Sequence, residues 1–430
     1  MSQQSVVDHF IEIHPKIRKR FPQLEHDLFG NKRVYLNSGA GTLMVDSAVH
    51  ELAALGQSAN PQPGEIDPAE IATDQLHWQV RESVSDFING SKPEEISFHF
   101  STTHALFNLA YSLRSLLTSR SNLVVTDLDH MANISPWEDV WGLEKGCDIR
   151  RARVDGEGCL DVGHLISQID GKTGVVAVTM ASNGIGSVVP LKEVIPSIRE
   201  RSPSALVCID AVHHALHGPI DVQEMDCDFL AFSGYKVFGP TLGVLWGKEH
   251  VLHRLEPFRV ETNKNEAPKK FEQGTLNNAG LACLDGAFAY LTWLGDQLAK
   301  KIGREIPRRR DRFKFVMNVV AEYESRISRS ILEGFQRLAP NKFRCYGITD
   351  PKRVGERDPT FAFEIMGREP EEIKRLLWEK YCFQIADGNH YSAAVARHLG
   401  RASICRASFA HYDTVESATL FVDALEDLVK

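Results

Sequence analysis

Through the middle of the chain, short apolar runs alternate with longer amphipathic stretches, a pattern that predicts a parallel β-sheet covered by helices. Four of these runs have the character of buried strands that end in polar residues; they are 123–125, 175–178, 206–209 and 229–232. A fifth run, at 243–246, is predicted to be a returning strand. Because ligands of open α/β sheets bind beyond the carboxyl ends of the strands, we expect the polar residues that follow the four strands to form one site.

The C-terminal part of the chain has a different pattern. Helical periodicity extends from about 290 to 335, shorter strand-like pieces follow, and 414–430 has the pattern of an amphipathic helix. We therefore predict a large domain at 34–290 and a smaller α+β domain at 291–430. The N-terminal segment, 1–33, is expected to pack on the small domain.

Composition and charge exclude several classes of function. The chain has 430 residues and a formal net charge of −8, which argues against nucleic acid or an anionic membrane as a partner. It contains no apolar stretch of the length of a membrane span or a signal peptide, so a cytoplasmic location is expected. Its eight cysteines form no CxxC pair, and neither a zinc site nor a disulfide framework is predicted.

Two of the strand ends and the start of a predicted helix carry complementary chemistry. Asp210 directly follows one predicted strand, and Lys236 follows another. Thr102 and Thr103 precede a predicted helix, whose N-terminal amide groups suit a phosphate. An amine, a buried carboxylate and a phosphate cradle are the groups that pyridoxal 5′-phosphate (PLP) requires, because the amine forms an imine with the aldehyde and the carboxylate keeps the pyridine nitrogen protonated. Neither a metal nor a nicotinamide is required.

Five segments together carry a resemblance to a known family. They are DHMANISPW at 129–137, SNGIG at 182–186, DAVH at 210–213, SGYKVFGP at 233–240 and FEQGT at 271–275. In their order and spacing, from about Val34 to the C-terminus, the chain resembles the class V aminotransferase family of fold-type I PLP-dependent transferases. It is most similar to the branch of that family that contains cysteine desulfurases and isopenicillin N epimerases. The resemblance implies an α/β fold with a mainly parallel seven-stranded sheet in the large domain and a smaller α+β C-terminal domain.

The same resemblance implies roles around the cofactor ring. Lys236 would form the Schiff base and move the proton at the substrate, and Asp210 would pair with the pyridinium nitrogen. His130 would stack on the ring. Asn183 would bind the ring hydroxyl together with His213, which stands where desulfurases usually have glutamine.

Further roles concern the phosphate and the quaternary structure. Thr103, Ser233 and Tyr235 would hold the phosphate, with Thr102 as an additional candidate. Tyr235 stands where desulfurases have histidine. Thr275 would reach the phosphate of the neighbouring subunit, which implies a homodimer with shared sites.

Two residues are implied to bind the small-molecule substrate, an amino acid or an amino-acid derivative. Arg406 matches the arginine that holds the substrate carboxylate, a task for which a planar guanidinium is well suited. An ordinary inter-domain salt bridge is the alternative for this arginine. Asn37 matches a segment that lines the substrate side of the pocket, although a turn residue after a short strand is an equal possibility.

One loop departs from the desulfurase pattern. In 386–392, Tyr391 stands at the position of the nucleophilic cysteine, and a phenol cannot carry a persulfide. Cys382 and Cys405 are interpreted as packed cysteines, not as replacements for that nucleophile. Tyr391 or His390 is instead a candidate for a second acid or base.

The reaction therefore stays open at this level. A lyase-like reaction at Cα or Cβ, such as β-elimination, is the leading hypothesis. An epimerase, an aminotransferase or a carbon–carbon bond-forming cyclase of secondary metabolism is the alternative, and a non-catalytic scaffold is disfavoured by the intact lysine and carboxylate. His213 and His217 have i, i+4 spacing, but no carboxylate or cysteine in their neighbourhood completes a metal-binding set, and no metal is predicted.

Overall fold

The computed structural model describes residues 3–57 and 61–430. Its strands are β1 (Val34–Tyr35), β2 (Ile96–His99), β3 (Asn122–Thr126), β4 (Asp148–Ala152), β5 (Thr173–Thr179), β6 (Leu206–Asp210), β7 (Phe229–Ser233), β8 (Gly243–Gly247), β9 (Phe343–Cys345), β10 (Thr360–Ile365), β11 (Phe383–Gln384), β12 (Ala386–Gly388) and β13 (Ile404–Ser408). Its α-helices are α1 (Gln3–Lys19), α2 (Asp46–Gly56), α3 (Pro68–Ile88), α4 (Thr102–Ser112), α5 (Ser135–Trp137), α6 (Val162–Ser167), α7 (Leu191–Arg201), α8 (Val222–Met225), α9 (Glu249–Leu252), α10 (Asn278–Lys301), α11 (Arg309–Phe335), α12 (Pro370–Tyr381), α13 (Ala393–His398) and α14 (Val415–Val429).

The large sheet has seven strands in the order β2-β8-β7-β6-β5-β3-β4. The strands from β7 through β4 pair in parallel, and only β8 runs against its neighbours β7 and β2. The mainly parallel seven-stranded sheet expected from the sequence is thereby confirmed, as is the returning strand at 243–246.

Both faces of this sheet are covered, which explains why its strands are apolar without alternation. In β5 every residue is buried. Val176 and Val178 belong to one hydrophobic cluster, whereas Val175 and Ala177 belong to another on the opposite face. The polar residues that stop β5, β6 and β7 therefore emerge together at one edge.

The C-terminal part contains a four-stranded antiparallel sheet in the order β12-β13-β10-β9. This confirms the smaller C-terminal sheet unit. The N-terminal segment lies on the same part of the molecule, because His14 Nε2 lies 2.8 Å from the main-chain oxygen of His411 and the ring of Phe10 lies 4.7 Å from that of Tyr323. The boundaries at 33/34 and 290/291 stay predictions, and α10 runs continuously across the second.

None of the helices in the described ranges combines the length and the apolar character that crossing a membrane requires.

Candidate active site

A cavity of about 930 Å³ lies at the carboxyl ends of the parallel strands. Twelve of the fourteen predicted site residues line it: Thr102, Thr103, His130, Asn183, Asp210, His213, Ser233, Tyr235, Lys236, His390, Tyr391 and Arg406. The fold therefore brings together side chains from seven segments of the chain, which include the four predicted strand ends. Their individual roles stay predictions, and the geometry below describes what each can do.

Lys236 follows β7 in a tight turn and is only 3% exposed. Its Nζ donates to the main-chain oxygen of Gly39, 2.5 Å away. Burial, together with the positive charge of Arg406, lowers the pKa of Lys236 to about 7, against the opposing effect of Asp210. The neutral amine needed for reaction with an aldehyde is thus accessible near neutral pH. The turn itself requires Gly234, because a Cβ there would lie 2.8 Å from the main-chain oxygen of Pro240.

Asp210 is the last residue of β6 and is buried. Its Oδ1 accepts a hydrogen bond from the amide of Val212 at 2.9 Å. Burial raises the pKa of Asp210 to about 6, an effect that this hydrogen bond and the charge of Lys236 counteract. A nearby positive charge stabilises the ionised form of a carboxylate that is buried away from water. A protonated pyridine nitrogen would supply that charge.

His130 presents a neutral ring. Its Nδ1 accepts from the amide of Ala132 at 3.0 Å, which places the remaining ring proton on Nε2. Burial lowers the pKa of His130 to about 4, with smaller contributions from Lys236 and Arg406. An uncharged, partly buried imidazole is suited to stacking on an aromatic ring.

The start of α4 forms a cradle of hydroxyl and amide donors. Ser101 caps the helix by accepting from the amide of His104 at 3.1 Å. Thr102 Oγ1 lies 2.6 Å from Ser233 Oγ and 2.8 Å from the main-chain oxygen of Phe232. Thr103 lies beside it on the cavity wall. The helix begins against β8 because residue 243 is glycine: a Cβ there would lie 2.3 Å from the carbonyl carbon of Ser101.

Arg406 on β13 reaches the cavity from the small sheet. Its Nη1 donates to the main-chain oxygen of Asn183 at 2.9 Å, and its Nε has no hydrogen-bond partner among the described residues. Burial lowers the pKa of Arg406 to about 10. No carboxylate in the described part of the chain forms a salt bridge with it, so the alternative of an inter-domain ion pair is not observed. An arginine in this state is suited to a carboxylate that arrives with the substrate.

Asn183 connects two parts of the site. Its Nδ2 donates to the main-chain oxygen of His390 at 2.7 Å, and its Oδ1 accepts from Ser392 Oγ at 2.5 Å. Its amide thus holds the loop 386–392 in place, and its role at the ring hydroxyl stays a prediction.

The loop 386–392 has an unusual backbone. His390 and Tyr391 are consecutive residues in the left-handed region, with φ of 53° and 57°. For L-residues this costs roughly 1–2 kcal/mol each, so the surrounding contacts must hold the conformation. One such contact is the amide of Met131, which donates to the main-chain oxygen of Tyr391 at 2.9 Å. The Tyr391 ring is 72% exposed and lies 5.5 Å from that of His130.

His390, by contrast, points into the protein. Its Nε2 lies 3.1 Å from the main-chain oxygen of Ile404, and burial is the main reason that its pKa falls to about 3. A neutral imidazole engaged by the main chain is a weaker candidate for an acid or base than the exposed phenol of Tyr391.

Two predicted residues lie outside the cavity wall. The main-chain oxygen of Asn37 accepts from the amides of Ala40 and Gly41, which is the turn geometry that the sequence left open. Thr275 lies in a separate small pocket, where its Oγ1 accepts from Gln62 Nε2 at 2.9 Å. Its role toward a neighbouring subunit stays a prediction.

The comparisons with known proteins agree with this geometry. The profile described as Aminotransferase class-V matches residues 34–309. The chain belongs to the class V aminotransferase family. A cysteine desulfurase from Pectobacterium carotovorum is 30% identical over 433 residues, which cover 96% of this chain and 97% of that relative. One from Serratia proteamaculans is 28% identical over 437 residues, covering 96% of this chain and 98% of the relative.

Solved structures show the same fold. The apo cysteine desulfurase from Thermococcus onnurineus superposes with a TM-score of 0.83 at 24% identity, and the match covers 96% of this chain and 98% of the other. A cysteine desulfurase from Escherichia coli gives a TM-score of 0.79 at 24% identity, with 96% and 98% covered.

Class V enzymes use PLP, and this chain is a PLP-dependent enzyme. Its own residues fit the cofactor: a buried amine at Lys236, a buried carboxylate at Asp210, and the hydroxyl-rich start of α4. Both ring nitrogens of His213 are buried without a hydrogen-bond partner in the described residues, so either is available to the cofactor's ring hydroxyl.

No cysteine of the described residues lines the cavity. Cys405 precedes Arg406 on β13, and because successive side chains of a strand point to opposite faces, it points away from the site. Its Sγ instead contacts the main-chain oxygen of Pro370 at 3.4 Å, and burial raises its pKa. Cys382 follows α12 as the residue that ends the helix. The burial of Cys405 agrees with its interpretation as a packed cysteine, whereas Cys382 is only partly buried and its role stays a prediction.

Sequence reasoning missed three features of the site. It did not find Gly39, whose carbonyl accepts from Lys236, because only the fold brings these residues together. It passed over Asp129, although that residue precedes His130 in a motif and is completely buried. It also found no carboxylate near His213 and His217, whereas the fold places Asp358 beside them.

Proposed function

We propose that this enzyme acts on an amino acid or an amino-acid derivative at Cα or Cβ, with a lyase-like outcome such as β-elimination. The observation that carries this proposal is that three buried side chains face one cavity: Lys236, Asp210 and Arg406, an arginine without a carboxylate partner among the described residues. This combination binds a substrate by its carboxylate while an amine of suitable pKa stands ready for proton transfer.

Each of the three residues has a distinct task. Arg406 orients the substrate by its carboxylate and so decides which bond at Cα is presented for cleavage. Lys236 would hold the cofactor through its amine and would carry the proton to or from Cα. Asp210 keeps the ring nitrogen protonated. When bound, PLP supplies the electron sink that lowers the barrier to breaking a bond at Cα.

The proposal differs from the activity in the names of the bacterial relatives. Sulfur transfer through a protein persulfide requires a thiolate at the cavity, and Tyr391 occupies the loop where the resemblance places that cysteine. A phenol cannot be converted to a persulfide. We therefore propose that the chain lacks the nucleophilic cysteine step.

Hydrogen exchange at Cα tests the proposal. The enzyme with cofactor is incubated in deuterated water with a pool of amino acids, and all masses are followed. We expect deuterium in one amino acid or in a product derived from it, and none with Lys236→Ala. Exchange that is as fast with Lys236→Ala contradicts the role of the lysine. Persulfide on any cysteine after exposure to L-cysteine contradicts the absence of sulfur transfer.

A second candidate function is epimerisation. It is favoured by the position of Tyr391, whose ring lies 5.5 Å from that of His130 on the cavity wall. An epimerase needs one acid–base group on each face of the cofactor ring. With His130 stacked on one face, Tyr391 lies on that same side and would complement Lys236 on the other. Turnover by Tyr391→Phe at the wild-type rate excludes this role. Chiral analysis of recovered substrate distinguishes an epimerase from a lyase, and the product mass identifies an aminotransferase or a cyclase.

A further inference from the structure

A second group of buried polar side chains lies behind the wall of the active site. His213 and His217 follow β6, Asp358 comes shortly before β10, and Glu324 lies on α11. One potential ligand atom each from His213, His217 and Asp358 falls within 4.8 Å of the others. His213 and Asp358 are 145 residues apart along the chain, and only the packing of the two sheets brings them together.

The two histidines have unused nitrogen atoms. Both are 2% exposed. Neither ring nitrogen of His213 nor Nε2 of His217 has a hydrogen-bond partner among the described residues. The two rings lie 5.2 Å apart between centroids, without a direct hydrogen bond. A buried polar atom without a partner costs roughly 1–3 kcal/mol, so one nitrogen of His213 and Nε2 of His217, placed side by side, indicate a bound species.

The surroundings resemble the outer shell of a metal site. His217 Nδ1 lies 2.7 Å from Glu324 Oε2, so the carboxylate accepts a hydrogen bond from the Nδ1–H group and leaves the lone pair of Nε2 free. The carboxylate of Asp358 is held by His214 Nδ1 at 3.0 Å. A carboxylate that orients a histidine by its other nitrogen is the usual second contact of a zinc-binding imidazole.

The size of the group also suits a metal. Metal–ligand distances are about 2.0–2.2 Å. Each of the three ligand atoms would have to move by less than about 1 Å towards a central ion to reach these distances. Two imidazole nitrogens and one carboxylate oxygen form a ligand set that zinc and related divalent ions accept. The two carboxylates, Asp358 and Glu324, balance the charge of such an ion.

We propose that His213, His217 and Asp358 bind one divalent transition-metal ion, with zinc as the best match, and that Glu324 orients His217. The ion takes one nitrogen of His213 and leaves the other for the active-site cavity, which His213 also lines. The metal site thus adjoins the cofactor site and fixes the orientation of one of its walls. It is independent of which reaction the enzyme performs.

Metal analysis of the enzyme with its cofactor tests this proposal. The wild type is incubated with zinc chloride and desalted, and zinc per chain is measured by inductively coupled plasma mass spectrometry. We expect about one zinc per chain in the wild type and a loss of most of it in His217→Gln and Asp358→Asn. His14→Gln, the same change at a buried histidine elsewhere, is the control and should retain the metal. Substoichiometric zinc in the wild type, or full retention by both variants, overturns the proposal.

A measurement on the wild type alone covers the case in which the variants do not fold. Zinc K-edge absorption of the loaded enzyme reports the ligand atoms directly. A first shell of nitrogen and oxygen with imidazole scattering supports the site. A shell that contains sulfur shows that zinc sits on cysteines and overturns the assignment.

Discussion

The Nη1 of Arg406 donates to the main-chain oxygen of Asn183 across 2.9 Å, although the two residues are 223 positions apart in the chain. This bond joins β13 of the small sheet to the loop that follows β5 of the large one. The side chain of Asn183 in turn holds the main-chain oxygen of His390. The group that we propose for the substrate carboxylate is therefore positioned by both sheets and by the loop that carries Tyr391.

Replacement of Arg406 by lysine keeps the charge but removes the planar pair of donors. We expect the substrate KM to rise roughly 10- to 100-fold, the effect of losing a hydrogen bond to a charged group. The measurement is steady-state kinetics on the substrate identified by hydrogen exchange. Arg401→Lys, at an exposed arginine that pairs with Glu364, is the control. An unchanged KM for Arg406→Lys argues that the substrate carboxylate binds elsewhere.

The lowered pKa of Lys236, about 7, predicts the pH dependence of cofactor loading. Only the neutral amine attacks an aldehyde, so the rate at which the apoprotein takes up PLP should rise through about pH 7 and then level off. An ordinary lysine, with a pKa near 10.4, would give a rate that still rises above pH 9. Absorbance of the bound cofactor, followed by stopped flow, measures this rate.

Arg406→Gln supplies the matched comparison for loading. The positive charge of Arg406 lowers the pKa of Lys236, so its removal should move the midpoint to higher pH. A midpoint that stays fixed in this variant shows that burial alone sets the pKa.

Asp129 predicts a pH dependence of stability. Burial raises its pKa to about 8, against the lowering effect of hydrogen bonds from Thr126 and Asn133. Because the folded pKa lies above the unfolded value, this residue's favourable contribution is complete below about pH 4 and is lost as the pH rises towards 8. Asp129→Asn, which cannot ionise, should therefore gain in stability relative to the wild type over this range.

Urea unfolding of the apoprotein at several pH values between 4 and 8 checks this prediction. We expect the difference in unfolding free energy between Asp129→Asn and the wild type to change by a few kcal/mol across the range, at about 1.4 kcal/mol per pKa unit. Asp139→Asn, at an exposed carboxylate, is the control. A difference that does not vary with pH means that Asp129 is ionised in the folded protein.

Thr275 predicts the quaternary structure. If it reaches the phosphate of a neighbouring subunit, the enzyme is a homodimer of twice 48.1 kDa in light scattering. Thr275→Val should then weaken cofactor binding roughly 10-fold, the effect of one hydrogen bond to a charged group. Because Thr275 also accepts from Gln62 of its own chain, Gln62→Ala is the matched control. Equal loss of affinity in both variants, or a monomeric mass, contradicts the shared site.

The sequence by itself determined the strands and the residues at their ends. Runs such as 175–178 and 229–232 are apolar on both faces because helices cover both sides of the sheet. Such runs can therefore be identified as buried strands from the local sequence, without knowledge of the strands that pair with them. Asp210 directly follows one such run and Lys236 follows another after three residues, so their convergence at one edge follows from parallel strand direction alone. The resemblance supplied the family and with it the cofactor, which the comparisons confirmed.

Only the tertiary structure decided which distant residues meet. The contact of Lys236 with Gly39, the bond from Arg406 to Asn183, and the approach of Asp358 to His213 each join segments that share no local pattern. Local periodicity reports which face of an element is buried, but it carries no information about which other element covers that face. The shift in the pKa of Lys236 has the same origin, since it depends on the burial and charges that the complete fold assembles around the amine.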